Sequence, residues 1–343
     1  MPDLVGFDAV EAAARRLEDK AVETPFLASP LLSEASGARV RLKAEGLQRT
    51  GSFKFRGAFN CMAARAEADP EALAAGVVTY SSGNHAQAVA AAAAERGLRA
   101  VVVMPVDAPT VKREGARRHG AEIVEEGRTS EERRERAEAI REREGLAMIP
   151  PFDDPDIIAG QGTCAREAAL AWPQMDTWLV CIGGGGFGSG SAVALRGMRP
   201  GVRIIGVEAE GAASMRASLD AGCPITLASI RTIADGLAPV RPGDLTYAHV
   251  EALFDDVVTV PDEAIRAAAR HMVVEERLVV EYSGAAAVAA LMTGAAGDLS
   301  GRNVGVTLSG SNMDVSVLAE LLGKGGDPPG TRLETDPGGG ARG

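Results

Sequence analysis

Short apolar runs rich in β-branched residues alternate along this chain with alanine-rich stretches that have a helical period. The runs lack the apolar–polar alternation of a half-exposed strand, so they predict strands that are buried on both faces. The predicted strands are 39–43, 77–80, 100–104, 123–125, 178–182, 203–207 and 303–308. The predicted helices are 55–66, 86–96, 131–144, 158–171, 189–198, 262–276, 284–292 and 314–322. This alternation is typical of an α/β fold with open parallel sheets that carry helices on both faces.

Two changes in composition divide the chain. Pro150 and Pro151 stiffen a segment near 146–155, which predicts a crossover between two lobes. We expect a small lobe over 52–146 and a large lobe made of 1–51 and 147–322. Residues 323–343 are rich in Gly and Pro and have no apolar periodicity, which predicts a disordered tail without chemistry.

The composition argues against several classes of partner and site. A net charge of −11 over 343 residues argues against nucleic acid or an anionic membrane surface. Residues 1–14 include acidic residues and no apolar core segment, so they do not predict a signal peptide, and no apolar run is long enough to span a bilayer. The four cysteines are widely spaced and form no C-x-x-C pair, which argues against structural zinc and favours reduced thiols in the cytoplasm.

Lys54 lies between two phenylalanines in a chain that strongly prefers arginine, since only five of its 36 basic residues are lysines. Unlike arginine, lysine can lose its proton and act as an amine nucleophile. An amine packed among apolar groups has a depressed pKa and can form a Schiff base with a carbonyl compound. Lys54 is therefore a candidate catalytic residue, and the alternative is a surface lysine at the start of a helix.

Three segments, 81–85, 183–188 and 309–312, each follow a predicted strand and open a predicted helix. In open parallel sheets ligands bind at the carboxyl ends of the strands, so we expect these segments to face one crevice. The first segment holds two serines, an asparagine and a histidine, which predicts an anion site for a substrate carboxylate. Helix capping is the alternative for the first and third segments, and His85 is interpreted as a hydrogen-bonded structural histidine.

The run of four glycines from Gly183 to Gly186 predicts a phosphate cradle. Glycine lets backbone N–H groups approach an anion closely, and the following helix presents its positive end. The segment also fits G-x-G-x-x-G through Gly183, Gly185 and Gly188, and Glu208 ends the next strand where a ribose-binding carboxylate would lie. A nicotinamide-dependent oxidoreductase is therefore an alternative, as is a plain strand–helix turn.

Taken together, these segments resemble the fold-type II pyridoxal-phosphate enzymes, in particular the serine/threonine dehydratase (threonine ammonia-lyase) and serine racemase group. The similarity runs from Thr24 to about Asp314, and it includes 42–54, 82–87, 152–155, 159–163, 183–186 and 232–237. It implies a tryptophan synthase β-like fold of two open lobes, with pyridoxal 5'-phosphate between them, and a homodimer. Because the chain stops too soon for the regulatory domain of the biosynthetic threonine dehydratases, we expect no isoleucine feedback of that type.

The resemblance implies cofactor contacts residue by residue. Lys54 resembles the Schiff-base lysine and Phe53 the residue packed beside the cofactor ring. Asn84 resembles the partner of the phenolic oxygen, and Ser309 resembles the hydroxyl that faces the pyridine nitrogen. The residues that resemble the phosphate loop are Gly183, Gly184, Gly185, Gly186 and Phe187.

Substrate contacts are implied in the same way. Ser81, Ser82 and His85 lie in the segment that receives the substrate carboxylate, and Arg133 falls where some relatives have a substrate-contacting arginine. Ser82 stands where many threonine dehydratases have alanine and serine racemases have a serine acid/base. The alternative is that Arg133 is one of several arginines on a solvated helix.

The implied activity is elimination of water from a β-hydroxy-α-amino acid, such as L-threonine or L-serine, followed by hydrolysis of the unsaturated product to a 2-oxo acid and ammonia. Serine racemase and 3-hydroxyaspartate dehydratase are the alternatives. A divalent-cation site is implied at Glu208, Ala212 and Ser214, but Ser214 replaces an acidic residue. Because hard cations prefer several oxygens that include carboxylates, Mg²⁺ binding is doubtful.

Overall fold

The computed structural model describes residues 2–127 and 130–323. Its strands are β1 (Phe26–Ala28), β2 (Arg39–Ala44), β3 (Val77–Tyr80), β4 (Ala100–Met104), β5 (Glu122–Glu125), β6 (Ala147–Met148), β7 (Thr177–Cys181), β8 (Arg203–Ala209), β9 (Asp256–Val260) and β10 (Asn303–Leu308). Its helices are α1 (Phe7–Leu17), α2 (Pro30–Ser36), α3 (Lys54–Ala68), α4 (Asn84–Glu95), α5 (Thr110–Arg118), α6 (Ser130–Glu144), α7 (Pro155–Ala171), α8 (Gly186–Met198), α9 (Ser214–Ala221), α10 (Asp244–Leu253), α11 (Asp262–Val274), α12 (Tyr282–Thr293) and α13 (Val315–Gly323).

The strands form two sheets. One has the order β1-β2-β10-β7-β8-β9, and it is parallel except for the β1–β2 pair. The other has the order β5-β4-β3-β6 and is parallel throughout. Every residue of β4, β7 and β10 is buried, as expected for strands covered by helices on both faces.

Helices α7 and α8 pack closely against each other. Helix α7 begins after Asp154, whose side chain accepts hydrogen bonds from the backbone N–H groups of Asp156 and Ile157. It crosses α8 so closely that a Cβ at Gly190 would lie 2.2 Å from the carbonyl oxygen of Ile158. Glycine at this crossing therefore brings α7 against the helix that follows the glycine run.

A buried ionic cluster fixes the start of α3. The Arg56 guanidinium donates to Glu45 at 2.8 and 2.9 Å and also contacts Glu167, while Lys43 Nζ lies 2.5 Å from Glu167. Arg56 is 1% exposed and Glu45 is fully buried. Removing one partner of such a pair leaves an uncompensated buried charge, which costs about 3–5 kcal/mol.

Each of the seven predicted strands is present, and each predicted helix overlaps an observed one. The sequence did not predict β1, β6 and β9, or helices α1, α2, α5, α9 and α10. Strands β1 and β6 have only three and two residues, too few for a readable period. Helix α5 has a largely charged sequence, so its short apolar face was not recognised.

The predicted division into lobes stays a prediction, with one point of difference. Ala147–Met148 pairs with β3, so the four-stranded sheet extends past the boundary that was expected at 146. The predicted tail lies, apart from Gly323, outside the described residues. Within 2–127 and 130–323, none of the helices combines the length and apolar character that crossing a bilayer requires.

Candidate active site

The predicted site residues gather at the carboxyl ends of the central strands of both sheets. Ser309 follows β10 and the glycine run follows β7, while the segment 81–85 follows β3. Ser52 pairs with Gly310 in an isolated antiparallel bridge, and Phe53 N–H donates to the Ser309 carbonyl at 3.1 Å. These contacts place the first turn of α3, which carries Lys54, beside the end of β10.

Lys54 has the enclosed amine that the sequence predicts. Its Nζ donates to the Pro151 carbonyl at 2.7 Å and lies 5.2 Å from the centroid of the Phe53 ring. Burial lowers the pKa of the amine from 10.5 to about 8, although the nearby Cys181 thiol acts in the opposite direction. About a tenth of the amine is therefore neutral, and thus nucleophilic, at pH 7, and about half of it at pH 8.

The glycine run packs tightly against the segment whose Pro151 carbonyl accepts a hydrogen bond from Lys54 Nζ. A Cβ at Gly184 would lie 2.3 Å from the Phe152 ring, and Phe152 follows Pro151. Gly185 has φ +98°, a left-handed conformation that glycine adopts without strain, and it forms the N-cap of α8. The backbone therefore turns sharply enough to present the N–H groups at the start of α8, as an anion cradle requires.

Two missed residues hold this loop in place. Thr246 Oγ1 donates to the Gly184 carbonyl at 2.6 Å. The Asp153 carboxylate accepts from the backbone N–H groups of Asp244, Leu245 and Thr246, each at 3.1 Å, and so fixes the start of α10. Asp153 lies 91 to 93 positions before the three N–H groups that it accepts from. A capping contact over such a separation cannot be recognised from local sequence pattern.

Asn84 and Ser309 lie in segments that follow strands of different sheets, β3 and β10. Asn84 opens α4, and its amide contacts Glu281 and Asn312. Ser309 is buried at the end of β10 and its hydroxyl is hydrogen-bonded to the Cys181 thiol, whose pKa burial raises to about 11. Both residues are in the region that contains Lys54, but their cofactor contacts stay predictions.

The segment 81–85 divides into a surface part and a buried part. Ser81 and Ser82 are half-buried, and Ser81 Oγ accepts from the Gly83 N–H at 3.0 Å. His85 is buried and its Nε2 lies 3.0 Å from the Ile149 carbonyl. Burial, followed by the positive Lys54, lowers the His85 pKa to about 3, so the ring is neutral at physiological pH. This favours the interpretation of His85 as a structural histidine, and its substrate contact stays a prediction.

Arg133 is buried on α6, where its Nη2 lies 3.1 Å from Ser130 Oγ. Burial lowers the pKa of its guanidinium. The alternative of a solvated surface arginine does not fit this burial. A contact between Arg133 and a substrate stays a prediction.

The Glu208 carboxylate makes hydrogen bonds within the fold, which affects both the predicted Mg²⁺ site and the alternative of a ribose-binding carboxylate. Its carboxylate oxygens accept from the backbone N–H groups of Met215 and Arg216 at 2.8 and 2.7 Å. Burial raises the pKa of Glu208 to about 7. Ala212 and Ser214 are also buried, and Glu208 is the one carboxylate among these three residues, so the Mg²⁺ site stays a doubtful prediction. The same two hydrogen bonds occupy the carboxylate that a nicotinamide ribose would need.

The residues present fit a cofactor that carries an aldehyde and a phosphate. The fit rests on an enclosed amine of low pKa at Lys54 and on a glycine turn whose Cβ positions are filled by Phe152 and Thr246. Phe53 precedes Lys54 and Phe187 follows the four glycines, and the two rings stack with their centroids 4.0 Å apart. Lys54 Nζ contacts Pro151 and Gly184 packs on Phe152, so the structure brings the amine and the glycine turn to the same segment.

Comparisons with known proteins agree with this chemistry. A family model described as pyridoxal-phosphate dependent enzyme matches residues 17–310. L-threonine ammonia-lyase of Thermotoga maritima is 39% identical over 322 residues, which are 94% of this chain and 79% of that protein. L-threo-3-hydroxyaspartate ammonia-lyase of a Pseudomonas species is 38% identical, over 93% of this chain and 99% of that protein. The solved structure of maize serine racemase has a TM-score of 0.87 and 35% identity, over 94% of this chain and 98% of that chain.

Proposed function

Because this chain belongs to the family of pyridoxal-phosphate-dependent enzymes, we propose that it eliminates water from a β-hydroxy-α-amino acid and releases a 2-oxo acid and ammonia. L-Threonine and L-serine are the substrates we place first, with 3-hydroxyaspartate next. The relatives that carry this proposal include two ammonia-lyases that are 39% and 38% identical to this chain over the aligned residues. A nicotinamide-dependent reaction is not supported, because the matched family uses a different cofactor.

Lys54 is the observation on which the proposal depends. Pyridoxal phosphate, when bound, stores the electron pair that remains after a bond to the substrate Cα is broken. Lys54 Nζ would hold the cofactor, and once released it would take the proton from Cα. Its pKa of about 8 suits both roles, because the neutral amine is the nucleophile and the base.

The other residues would bind and orient. The backbone N–H groups at Gly183 to Gly186 would hold the phosphate, and Ser309 would face the pyridine nitrogen. A neutral hydroxyl partner does not stabilise a protonated pyridine, so the electron pair is stored only briefly. A short-lived electron pair favours loss of the hydroxyl from Cβ. Hydrolysis takes up again the water that is lost in this step, so one substrate gives one 2-oxo acid and one ammonium ion.

One assay tests the function. Purified protein supplied with pyridoxal phosphate and L-threonine is expected to form 2-oxobutyrate and ammonia in equal amounts. The Lys54→Ala variant is expected to form neither. L-Serine and L-threo-3-hydroxyaspartate, assayed in parallel, rank the substrates by kcat/KM. Absence of a 2-oxo acid from all three substrates would refute the proposal.

Serine racemase activity is the second candidate, and Ser82 favours it. Inversion at Cα needs one group to remove a proton and another to return it. Ser82 lies half-buried in the segment that opens α4, so Lys54 Nζ and Ser82 Oγ would be the two groups. Chiral analysis after incubation with L-serine decides, because D-serine must form in wild type and disappear in Ser82→Ala.

We also propose that the enzyme is a cytoplasmic homodimer. The cytoplasmic part is supported by its four cysteines, which lie in the described part of the chain and are all unpaired. The dimer rests on resemblance to the family. Cell fractionation and light scattering of the purified protein test the two statements separately.

A further inference from the structure

Asn84 and Glu281 meet across the cleft between the two sheets. Asn84 opens α4 beside the four-stranded sheet, and Glu281 precedes α12 beside the six-stranded sheet. Asn84 Nδ2 donates to Glu281 Oε1 at 2.5 Å, and Glu281 is only 3% exposed. On the other edge of the amide, Asn84 Oδ1 accepts from Asn312 Nδ2 at 2.9 Å. Two segments distant in sequence thus hold one amide group from two sides.

The chemistry of these partners fixes the direction of the Asn84 amide. An ionised carboxylate only accepts hydrogen bonds, so Nδ2 rather than Oδ1 must face Glu281. Asn312 Nδ2 also donates to the Thr50 carbonyl at 2.8 Å, which keeps its donor edge in place. Because Glu281 takes one N–H of Asn84, the second N–H is the donor that remains for the phenolic oxygen of the cofactor.

Lys112 supports the carboxylate from the opposite lobe. Its Nζ lies 2.9 Å from Glu281 Oε2 and 2.6 Å from Asp235 Oδ2. Burial raises the pKa of Glu281, and the positive charge of Lys112 opposes that effect and favours the ionised form. The Lys112 side chain also packs under the loop of Asn84, since a Cβ at Gly83 would lie 2.0 Å from Lys112 Cδ. One lysine therefore contacts both the loop and the carboxylate.

Gly310 provides the space in which the two side chains meet. A Cβ at this position would lie 2.2 Å from Glu281 Oε1 and 3.3 Å from Asn84 Nδ2. The Gly310 carbonyl also accepts from the Glu281 backbone N–H at 3.1 Å. A methyl group at position 310 would displace the carboxylate without changing the chemistry of Asn84 or Glu281, and it would also lie 3.1 Å from Ser52 Cβ.

We propose that Glu281 is a positioning residue: its carboxylate holds the Asn84 amide so that an N–H faces the phenolic oxygen of bound pyridoxal phosphate. The inference rests on the proposed function, in which Asn84 is that contact. Loss of the carboxylate frees the amide to rotate, and its oxygen would then repel the phenolic oxygen. Both the affinity for the cofactor and its visible absorption therefore depend on Glu281.

The test compares Glu281→Gln and Gly310→Ala with the control Glu45→Gln. Glu45 is also a fully buried carboxylate, but it pairs with Arg56 and lies outside this contact. Each of the first two variants is expected to raise the dissociation constant of pyridoxal phosphate about tenfold, the effect of losing one charge-assisted hydrogen bond. Each is also expected to shift the visible band. Glu45→Gln should lower the melting temperature of the cofactor-free protein, and because it acts on the start of α3 and not on the Asn84 amide, it should leave the visible band unshifted.

The outcomes separate this inference from the function beneath it. Wild-type affinity and an unshifted band in Glu281→Gln and Gly310→Ala would overturn the role of Glu281. An equal band shift in Glu45→Gln would also overturn it, because any buried carboxylate would then have the same effect. If Glu281→Gln does not fold, Gly310→Ala decides alone. A visible band that Lys54→Ala retains after dialysis would instead refute the proposed function.

Discussion

Phe53 and Phe187 stack with their ring centroids 4.0 Å apart and their planes at 17°. Phe53 precedes Lys54, and Phe187 lies in the first turn of α8, directly after the glycine run. The stack therefore fixes the distance between the segment that carries the amine and the segment that forms the cradle. The sequence predicted that both residues contact the cofactor, which stays a prediction, and the structure adds that their two rings contact each other.

A double-mutant cycle measures this contact. Phe53→Leu and Phe187→Leu are each expected to destabilise the cofactor-free protein, and the pair should lose less than the sum. The coupling is expected to be about 0.5–1.5 kcal/mol, the range for stacked aromatic pairs. Urea unfolding of the four proteins gives the value, and additive effects would show that the stack contributes nothing beyond burial.

Cofactor capture by the cofactor-free protein should depend on pH through Lys54. Only the neutral amine attacks an aldehyde, and burial lowers the amine pKa to about 8. The rate constant should rise about tenfold per pH unit well below pH 8 and level off above it. Stopped-flow growth of the visible band reports the rate, with Lys54→Arg as the control that captures no cofactor. An inflection near the ordinary lysine pKa would contradict the enclosed amine.

The glycine run should not tolerate a single methyl group at Gly184. A Cβ there would lie 2.3 Å from the Phe152 ring, so the loop or the ring must shift. Overpacking of this kind costs about 1–3 kcal/mol, which corresponds to a cofactor affinity about 10- to 100-fold lower. Gly201→Ala is the matched control, because no described atom lies within 4 Å of a Cβ at that position. Equilibrium dialysis should show a loss of affinity in the first variant alone.

Acid should destabilise the protein in part through His249. Its Nδ1 lies 2.7 Å from the Leu245 carbonyl, so Nδ1–H donates there and Nε2 accepts from the Val5 N–H at 2.9 Å. Burial lowers the pKa of His249 below its ordinary 6.5. The folded state therefore prefers the neutral ring, and its stabilising contribution is complete above pH 6.5 and lost as the pH falls below it.

The comparison with His249→Gln isolates this effect. Between pH 6.5 and the lowered pKa, the wild type should lose up to about 1.4 kcal/mol per pH unit more than the variant. Urea unfolding across this range gives both slopes. His85 contributes the same acid sensitivity to both proteins, so it cancels in the difference. Equal slopes would mean that His249 takes up its proton equally readily in the folded and unfolded states, which would contradict a lowered pKa in the folded protein.

The five lysines show how far residue type alone carries an interpretation. A chain that prefers arginine suggested a special role for Lys54, and its enclosed amine agrees with that hypothesis. The argument that a rare lysine has a special role holds equally for Lys43 and Lys112, although their sequence context indicated no such role. Both are buried and both pair with carboxylates, Lys43 with Glu167 and Lys112 with Glu281 and Asp235.

The sequence determined the elements whose signal is local. A strand such as β4 is an unbroken apolar run, and the segments that follow β3, β7 and β10 are readable from their glycine and polar residues. These patterns, with the resemblance they carry, predicted the α/β fold and the cofactor. They did so because burial on both faces requires a continuous apolar strand, whatever lies elsewhere in the chain.

Only the tertiary structure decided which distant residues meet. Asn84 and Glu281 are 197 positions apart, and nothing around either residue indicates the other. The pKa of Lys54 likewise depends on the surrounding burial, because loss of water penalises the charged amine. Hydrogen-bond partners and desolvation are properties of three-dimensional packing, and they turn a readable motif into a site with a defined chemistry.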